Sequence, residues 1–203
     1  MQFHTYKTIE KRSEGLYKEK GSKFIGIAET CFSVEEVKQL LENWKKEHHQ
    51  ARHLCYAYRL GADKKVFRAN DDGEPSNSAG QPILGQLNAF DLSNTLIGVV
   101  RYYGGTKLGV GGLMNAYKSA ALEAIKNGQI IERDVLHTLV FKFDHQTMPE
   151  VMSLLKQYNI KIVNQFYDNL NHITCQIPSR IEADFMTKLN HLTIEITSNE
   201  IRE

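Results

Sequence analysis

Two stretches of this chain gather side chains able to do chemistry. The first is Asp71-Asp72-Gly73-Glu74-Pro75, which runs through Ser76-Asn77-Ser78 into Ala79-Gly80-Gln81-Pro82. Its carboxylates, Asp71, Asp72 and Glu74, are hard oxygen ligands of the kind Mg²⁺ accepts in small number while keeping several waters. The spacing lacks the full ligand set of an EF-hand loop. The same groups also suit a second task, the capping of turns and nearby helix N-termini, which is common in Gly/Pro-rich loops. The second stretch is Arg101-Tyr102-Tyr103-Gly104-Gly105-Thr106-Lys107-Leu108-Gly109-Val110-Gly111-Gly112-Leu113. It follows the apolar run from Leu96 to Val100 and leads into an alanine-rich helical pattern. A strand, a glycine-rich turn and a helix start expose backbone N–H groups, and the helix dipole there favours an anion. Arg101, Thr106 and Lys107 would add charge and hydrogen bonds to a phosphate. Gly104, Gly105, Gly109, Gly111 and Gly112 would let it approach the backbone. The pattern is neither a P-loop nor a dinucleotide fingerprint, and glycines also serve simply to pack a helix on a sheet.

Nucleophilic chemistry is less well supported. His53 and Cys55 share one face of a strand, and a histidine beside a thiol can activate it. A lone cysteine, however, is ordinarily a small buried apolar residue. His48-His49 closes a helix, where imidazole suits the dipole, and Ser76 and Ser78 lack a nucleophile-elbow pattern.

Composition narrows the classes. The 203 residues are 41% hydrophobic and 24% charged, with net charge +1. That is globular composition; disorder, collagen and a disulfide-stapled mini-protein are excluded. The three cysteines form no Cys-x-x-Cys pair and suit a reducing compartment. No signal-peptide pattern opens the chain, and no run approaches the ~20 apolar residues that span a bilayer. These features predict a cytoplasmic protein with no membrane partner. The net charge is +3 over residues 1–135 and −2 over 136–203. Phosphate contacts are therefore expected in the first part, through Lys18, Lys20, Lys23, Arg52, Arg59, Arg68, Arg101 and Lys107.

The elements that must position these residues divide near Asp134. In the first part, Lys7 to Leu16 and Lys23 to Cys31 read as strands. Ser33-Val34-Glu35-Glu36 is a capping box, followed by Val37, Leu40, Leu41 and Trp44 on one helical face. Leu54 to Leu60 is a strand, and Leu113, Ala116, Tyr117, Ala120, Ala121, Ala124 and Ile125 line a second helix that ends at Asn127-Gly128. Ala69 to Gln86 reads as one long loop, and loops of that length are usually functional or disordered. In the second part, Leu136 to Phe143, Ile160 to Tyr167, His172 to Ile177 and Thr193 to Thr197 are strands. Capping boxes at Thr147–Glu150 and Ser179–Glu182 open two helices. The order βαββαβ over residues 136–203 predicts a ferredoxin-like domain.

The blocks Ala51 to Arg59, Asp71 to Pro75, Ala79 to Leu84 and Arg101 to Leu113 resemble the bacterial branch of the YigZ/Impact family. Lys20-Gly21-Ser22-Lys23-Phe24-Ile25-Gly26 matches its early signature. The resemblance implies an α+β protein. Residues 1–135 would be an N-terminal α/β domain like the second domain of a small-subunit ribosomal protein. Residues 136–203 would be a ferredoxin-like domain similar to one in elongation factor G. Eukaryotic relatives regulate translation with an additional N-terminal module for which 203 residues leave no room, so their regulatory partner is not carried over. The chain departs from the family pattern at Ser76-Asn77-Ser78 and at Asn115, where the family commonly has Ser-Gly-Thr and Arg.

Three functions are compatible with these residues. The leading one is a non-enzymatic, translation-associated protein that binds RNA or the ribosome. It would use Arg101, Lys107, Thr106, Arg52, Arg59 and the five glycines, with the acidic loop ordered internally or through Mg²⁺. The second is a Mg²⁺-dependent enzyme acting on a nucleotide or phosphorylated metabolite. The third is a protein-interaction module using the wetter face of the second sheet.

Overall fold

A computed structural model describes residues 3–202. The chain forms two α+β units. One is Tyr6–Arg133; the other joins the first residues, up to Thr5, to the chain from Asp134 onward. The first residues group with the later unit.

The first unit contains all but the first residue of β1 (Thr5–Ile9), then β2 (Ser13–Glu19), β3 (Ser22–Thr30), α1 (Val34–Glu47), β4 (His53–Leu60), β5 (Val66–Asn70), α2 (Gly80–Ala89), β6 (Thr95–Tyr102), α3 (Gly109–Asn127) and all but the last residue of β7 (Ile130–Asp134). Its main sheet has the order β2-β3-β6-β4-β5, and its strand pairs are antiparallel. The central strand β6 is buried along nearly its whole length. This explains the unbroken apolar run: both faces of the strand are covered. On one face Trp44 and Val37 of α1 pack with Ile27, Leu54 and Leu96. On the other, α2 and α3 pack with Phe24, Cys55, Ile97 and Val99. The α1 capping box is formed. Ser33 Oγ accepts from the Glu36 N–H at 3.1 Å, and the Glu36 carboxylate accepts from the Phe32 N–H.

Small residues bring α3 close to the sheet. Gly15 on β2 and Gly26 on β3 lie directly opposite each other. A Cβ on Gly26 would fall 2.2 Å from the Ala120 carbonyl oxygen, and one on Gly15 would fall 2.3 Å from the Ala124 nitrogen.

Much of the stretch read as loop from Ala69 to Gln86 is regular structure. It contains the end of β5 and most of α2, leaving Asp71 to Ala79 between them. Helix α2 escapes local reading because Gly80, Pro82 and Gly85 dilute its pattern. Its cap is also not local. The Asp71 carboxylate, several residues upstream, accepts from the Ala79 and Gly80 N–H groups at 2.9 and 2.8 Å and from Asn77 N–H at 2.9 Å.

The second unit contains β8 (Leu136–Phe143), α4 (Met148–Gln157), β9 (Lys161–Tyr167), β10 (Asn171–Pro178), α5 (Glu182–Leu189) and β11 (Ile194–Arg202). The sheet order is β11-β8-β10-β9, antiparallel throughout. Ile173, Cys175 and Ile177 face a core shared with Val151, Leu155, Phe185 and Leu189. Neither Thr147 nor Ile181, the residues at the two cap positions, caps its helix through a side chain. A 3-10 turn, His145–Thr147, precedes α4, Thr147 is already helical, and no side chain caps α4. Helix α5 opens with Ile181 at its cap position, and the Glu182 carboxylate lies 2.6 Å from His137 Nδ1.

The close approach of α3 makes a direct test. Gly26→Ala is expected to lower stability by about 1–3 kcal/mol, because backbone rather than a flexible side chain stands in the way. Urea denaturation measures this; an unchanged midpoint would show that α3 is free to shift.

Candidate functional site

Strand register builds the floor of the site. Arg101 on β6 lies opposite His53 on β4 and Phe24 on β3. Paired residues project to the same side, so the three form a row. Phe24 packs edge-on to Tyr117 of α3, ring centroids 5.2 Å apart, which places the row on the α3 face. The Arg101 guanidinium lies between two rings, 5.5 Å from the Phe24 centroid and 5.4 Å from that of Tyr103.

Glu74 reaches the row by a tight turn. The Glu74 N–H donates to the Asp71 carbonyl at 2.9 Å. The two central residues, Asp72 and Gly73, have φ of 42° and 84°, the left-handed conformation that Asp tolerates and Gly favours. Glu74 Oε1 then accepts from Arg101 Nη1 at 2.5 Å and from the Tyr117 hydroxyl at 2.8 Å. The pair is buried, with side-chain exposures of 9% for Arg101 and 4% for Glu74. Only Nη1 of the guanidinium has a hydrogen-bond partner among the described residues, and Nε is buried without one.

Above this floor opens a cleft of about 450 Å³ lined by Glu74, Arg101, His53, Arg52, Tyr103 and Lys107 and by the first turn of α3. Helix α3 has 19 residues, begins at Gly109 and has neither a side-chain cap nor an acidic residue in its first turn. Its free N–H groups and the positive end of its dipole are thus uncompensated from within. The His53 ring is oriented by its neighbour: Nδ1 donates to the Asp72 carbonyl at 2.7 Å, which leaves Nε2 as the free ring nitrogen. The cleft is suited to an anion.

Over residues 20–125 the chain matches the family model described as the Impact N-terminal domain. It is 33% identical over 168 residues to IMPACT family member YigZ of Escherichia coli (strain K12), covering 82% of each protein. It is 32% identical over 154 residues to IMPACT family member YvyE of Bacillus subtilis (strain 168), covering 76% of this chain and 71% of that protein. The chain belongs to the IMPACT family. A solved structure described as that of a hypothetical protein superposes with a TM-score of 0.76 at 28% identity, covering 97% of this chain and 98% of the other.

In this IMPACT protein the expected site residues are not all in one place. Arg52, Arg101, Lys107, Gly109 and Glu74 line the cleft. Arg59 lies elsewhere, buried and donating to the Leu87 carbonyl at the end of α2, 3.8 Å from Asp91. Thr106, Gly104, Gly105, Gly111 and Gly112 lie in the same loop and helix start but do not line the cleft. Gly104 has an architectural reason to be glycine, since a Cβ there would lie 1.9 Å from the Gly21 carbonyl carbon. The carboxylates of the acidic loop diverge. Asp71 caps α2, Asp72 accepts from the Leu54 N–H at 2.8 Å, and Glu74 holds Arg101. Among the described residues no cluster of three or more His, Cys, Asp or Glu is placed to hold a metal ion.

Cys55 is fully buried, its Sγ donates to the Asp71 carbonyl at 3.0 Å, and burial pushes its thiol pKa well up. Such a thiol is not a nucleophile. Sequence reading missed Tyr103, Tyr117 and His53 as parts of the site. His53 carried a signal, next to Arg52 at a strand start, but it was attached to Cys55.

The buried pair sets an energetic expectation. Arg101→Ala leaves Glu74 without its counter-charge and is expected to cost about 3–5 kcal/mol. Arg101→Met with Glu74→Gln, which keeps an acceptor for Tyr117, should recover much of that loss. Chemical denaturation of the two variants checks both; a single variant within 1 kcal/mol of the parent, where surface substitutions commonly fall, would contradict the pairing.

Proposed function

We propose that this IMPACT family member is a translation-associated protein that binds RNA, alone or in the ribosome, and that the cleft at the start of α3 takes a phosphate of that RNA. The observation that carries the reading is the uncapped N-terminus of α3 opening beside Arg52 and Lys107. Aligned backbone N–H groups and two cationic side chains are the elements of a phosphate site. Tyr103, 45% exposed at the rim, offers a ring face for a base, the usual partner of single-stranded RNA. Within this reading the first unit is the ribosomal-protein-like domain and the second, by its βαββαβ order, is ferredoxin-like. Fold likeness contributes little to the functional reading.

An enzyme acting on a nucleotide or phosphorylated metabolite is the alternative, and one observation favours it: the free Nε2 of His53 belongs to a ring that lines the same cleft. Turnover of nucleotide substrates, abolished by His53→Gln, would decide for the enzyme.

Arg101 belongs to the buried framework, so the informative variant is Arg52→Ala/Lys107→Ala. Binding to a single-stranded RNA should weaken as salt rises. The double variant should flatten the log K against log[salt] slope by about 1.4, two contacts at about 0.7 each. Fluorescence anisotropy across a salt series measures this. No salt-sensitive binding, or an unchanged slope in the variant, would sink the reading.

A further inference from the structure

We infer that the cleft is built for a terminal phosphomonoester, the phosphate end of a nucleotide, rather than for an internal phosphodiester of an RNA chain. This rests on the reading that the cleft takes phosphate. It adds the class of phosphate.

Charge is the first argument. Arg101 and Glu74 neutralise each other at the floor, so they bring little net charge. Arg52 and Lys107 remain on the cleft wall, together with roughly half a positive charge at the start of α3. The sum is between two and three positive charges around one small space. An internal phosphodiester carries a single negative charge. A phosphomonoester carries about −1.5 to −2 at pH 7, which matches the supply.

Unused hydrogen-bonding capacity is the second. The Arg101 side chain is more than nine-tenths buried and lines the cleft, yet Nε and Nη2 have no partner among the described residues. A buried guanidinium nitrogen without an acceptor is costly, and a small local rearrangement that let a ligand oxygen reach it would recover that cost. Glu74 Oε1 holds both of that carboxylate's partners, Arg101 and Tyr117. Its other oxygen is left to accept from a hydroxyl, as a ribose beside a phosphate would supply.

Shape is the third. Two lining side chains, Glu74 and Arg101, are nearly inaccessible while Arg52, Tyr103 and Lys107 are exposed, so the site is a recess with a buried floor and an open rim. Its volume of about 450 Å³ falls in the range of small-ligand sites. A recess receives a chain end; a continuous backbone needs an entrance and an exit.

The test compares three ligands with the full-length protein at one salt concentration. They are a short single-stranded RNA with a 5′-phosphate, the same RNA with a 5′-hydroxyl, and free AMP, with 3′-phosphorylated RNA as a further arm. The expected result is about tenfold tighter binding of an end-phosphorylated RNA, or measurable AMP binding, from helix-end and charge-assisted contacts together. Arg52→Ala and Lys107→Ala should each erase the preference, while Lys38→Ala, the same charge removed from α1, should leave it intact. Equal binding of phosphorylated and hydroxyl RNA, with no AMP binding, overturns the inference and leaves RNA binding standing. Binding of AMP without binding of any RNA supports the inference and removes the RNA reading. No binding by any of the ligands overturns both.

Discussion

The buried ion pair between Glu74 and Arg101 is the constraint on which the site depends. Burying two charges is expensive unless geometry and additional hydrogen bonds compensate. Here the compensation draws in several elements: the Tyr117 hydroxyl from α3, the flanking rings of Phe24 and Tyr103, and the Asp71–Glu74 turn that delivers the carboxylate. Asp71 caps α2 and Asp72 ties the turn to β4. The acidic loop is therefore a brace whose third carboxylate is presented to the sheet.

That arrangement changes which charges are available for function. Arg101, the most conspicuous cation in the glycine-rich stretch, is neutralised by Glu74 and serves as the cleft floor. The exposed, unneutralised charge falls to Lys107 and Arg52, which come from opposite sides of the acidic loop in sequence. Arg52 precedes β4, the neighbour of β6, and its N–H donates to the Arg101 carbonyl at 3.2 Å. The two exposed cations, the α3 N-terminus and the oriented His53 ring thus face one recess, although no local run of sequence contains them all.

Legibility followed the range of the interactions. Helix α1 was readable because Ser33 and Glu36 cap it locally and its apolar stripe is regular. In the second unit, β8 and the alternation of Ile173, Cys175 and Ile177 were readable for the same reason. Helix α2 was not, since its cap comes from Asp71 across the loop. Thr147 carried a capping signal that the chain does not use in that way, since a 3-10 turn takes over that helix start. At the site, the glycine-rich stretch and the acidic loop were each visible as unusual. Their meeting through Glu74 and Arg101 was not, because a strand register and a tight turn decide it. Arg59 looked equivalent to Arg52 from charge alone; its place at the end of α2 separates them.

The central claim is that phosphate is received at the start of α3. Amide chemical-shift mapping by NMR during titration with 5′-phosphorylated RNA tests it most directly. The account predicts the largest shifts at the backbone amides of Gly109 to Leu113, with further shifts at Arg52, His53 and Tyr103. Shifts confined to the second unit, or spread over the surface with the α3 amides unmoved, would contradict it.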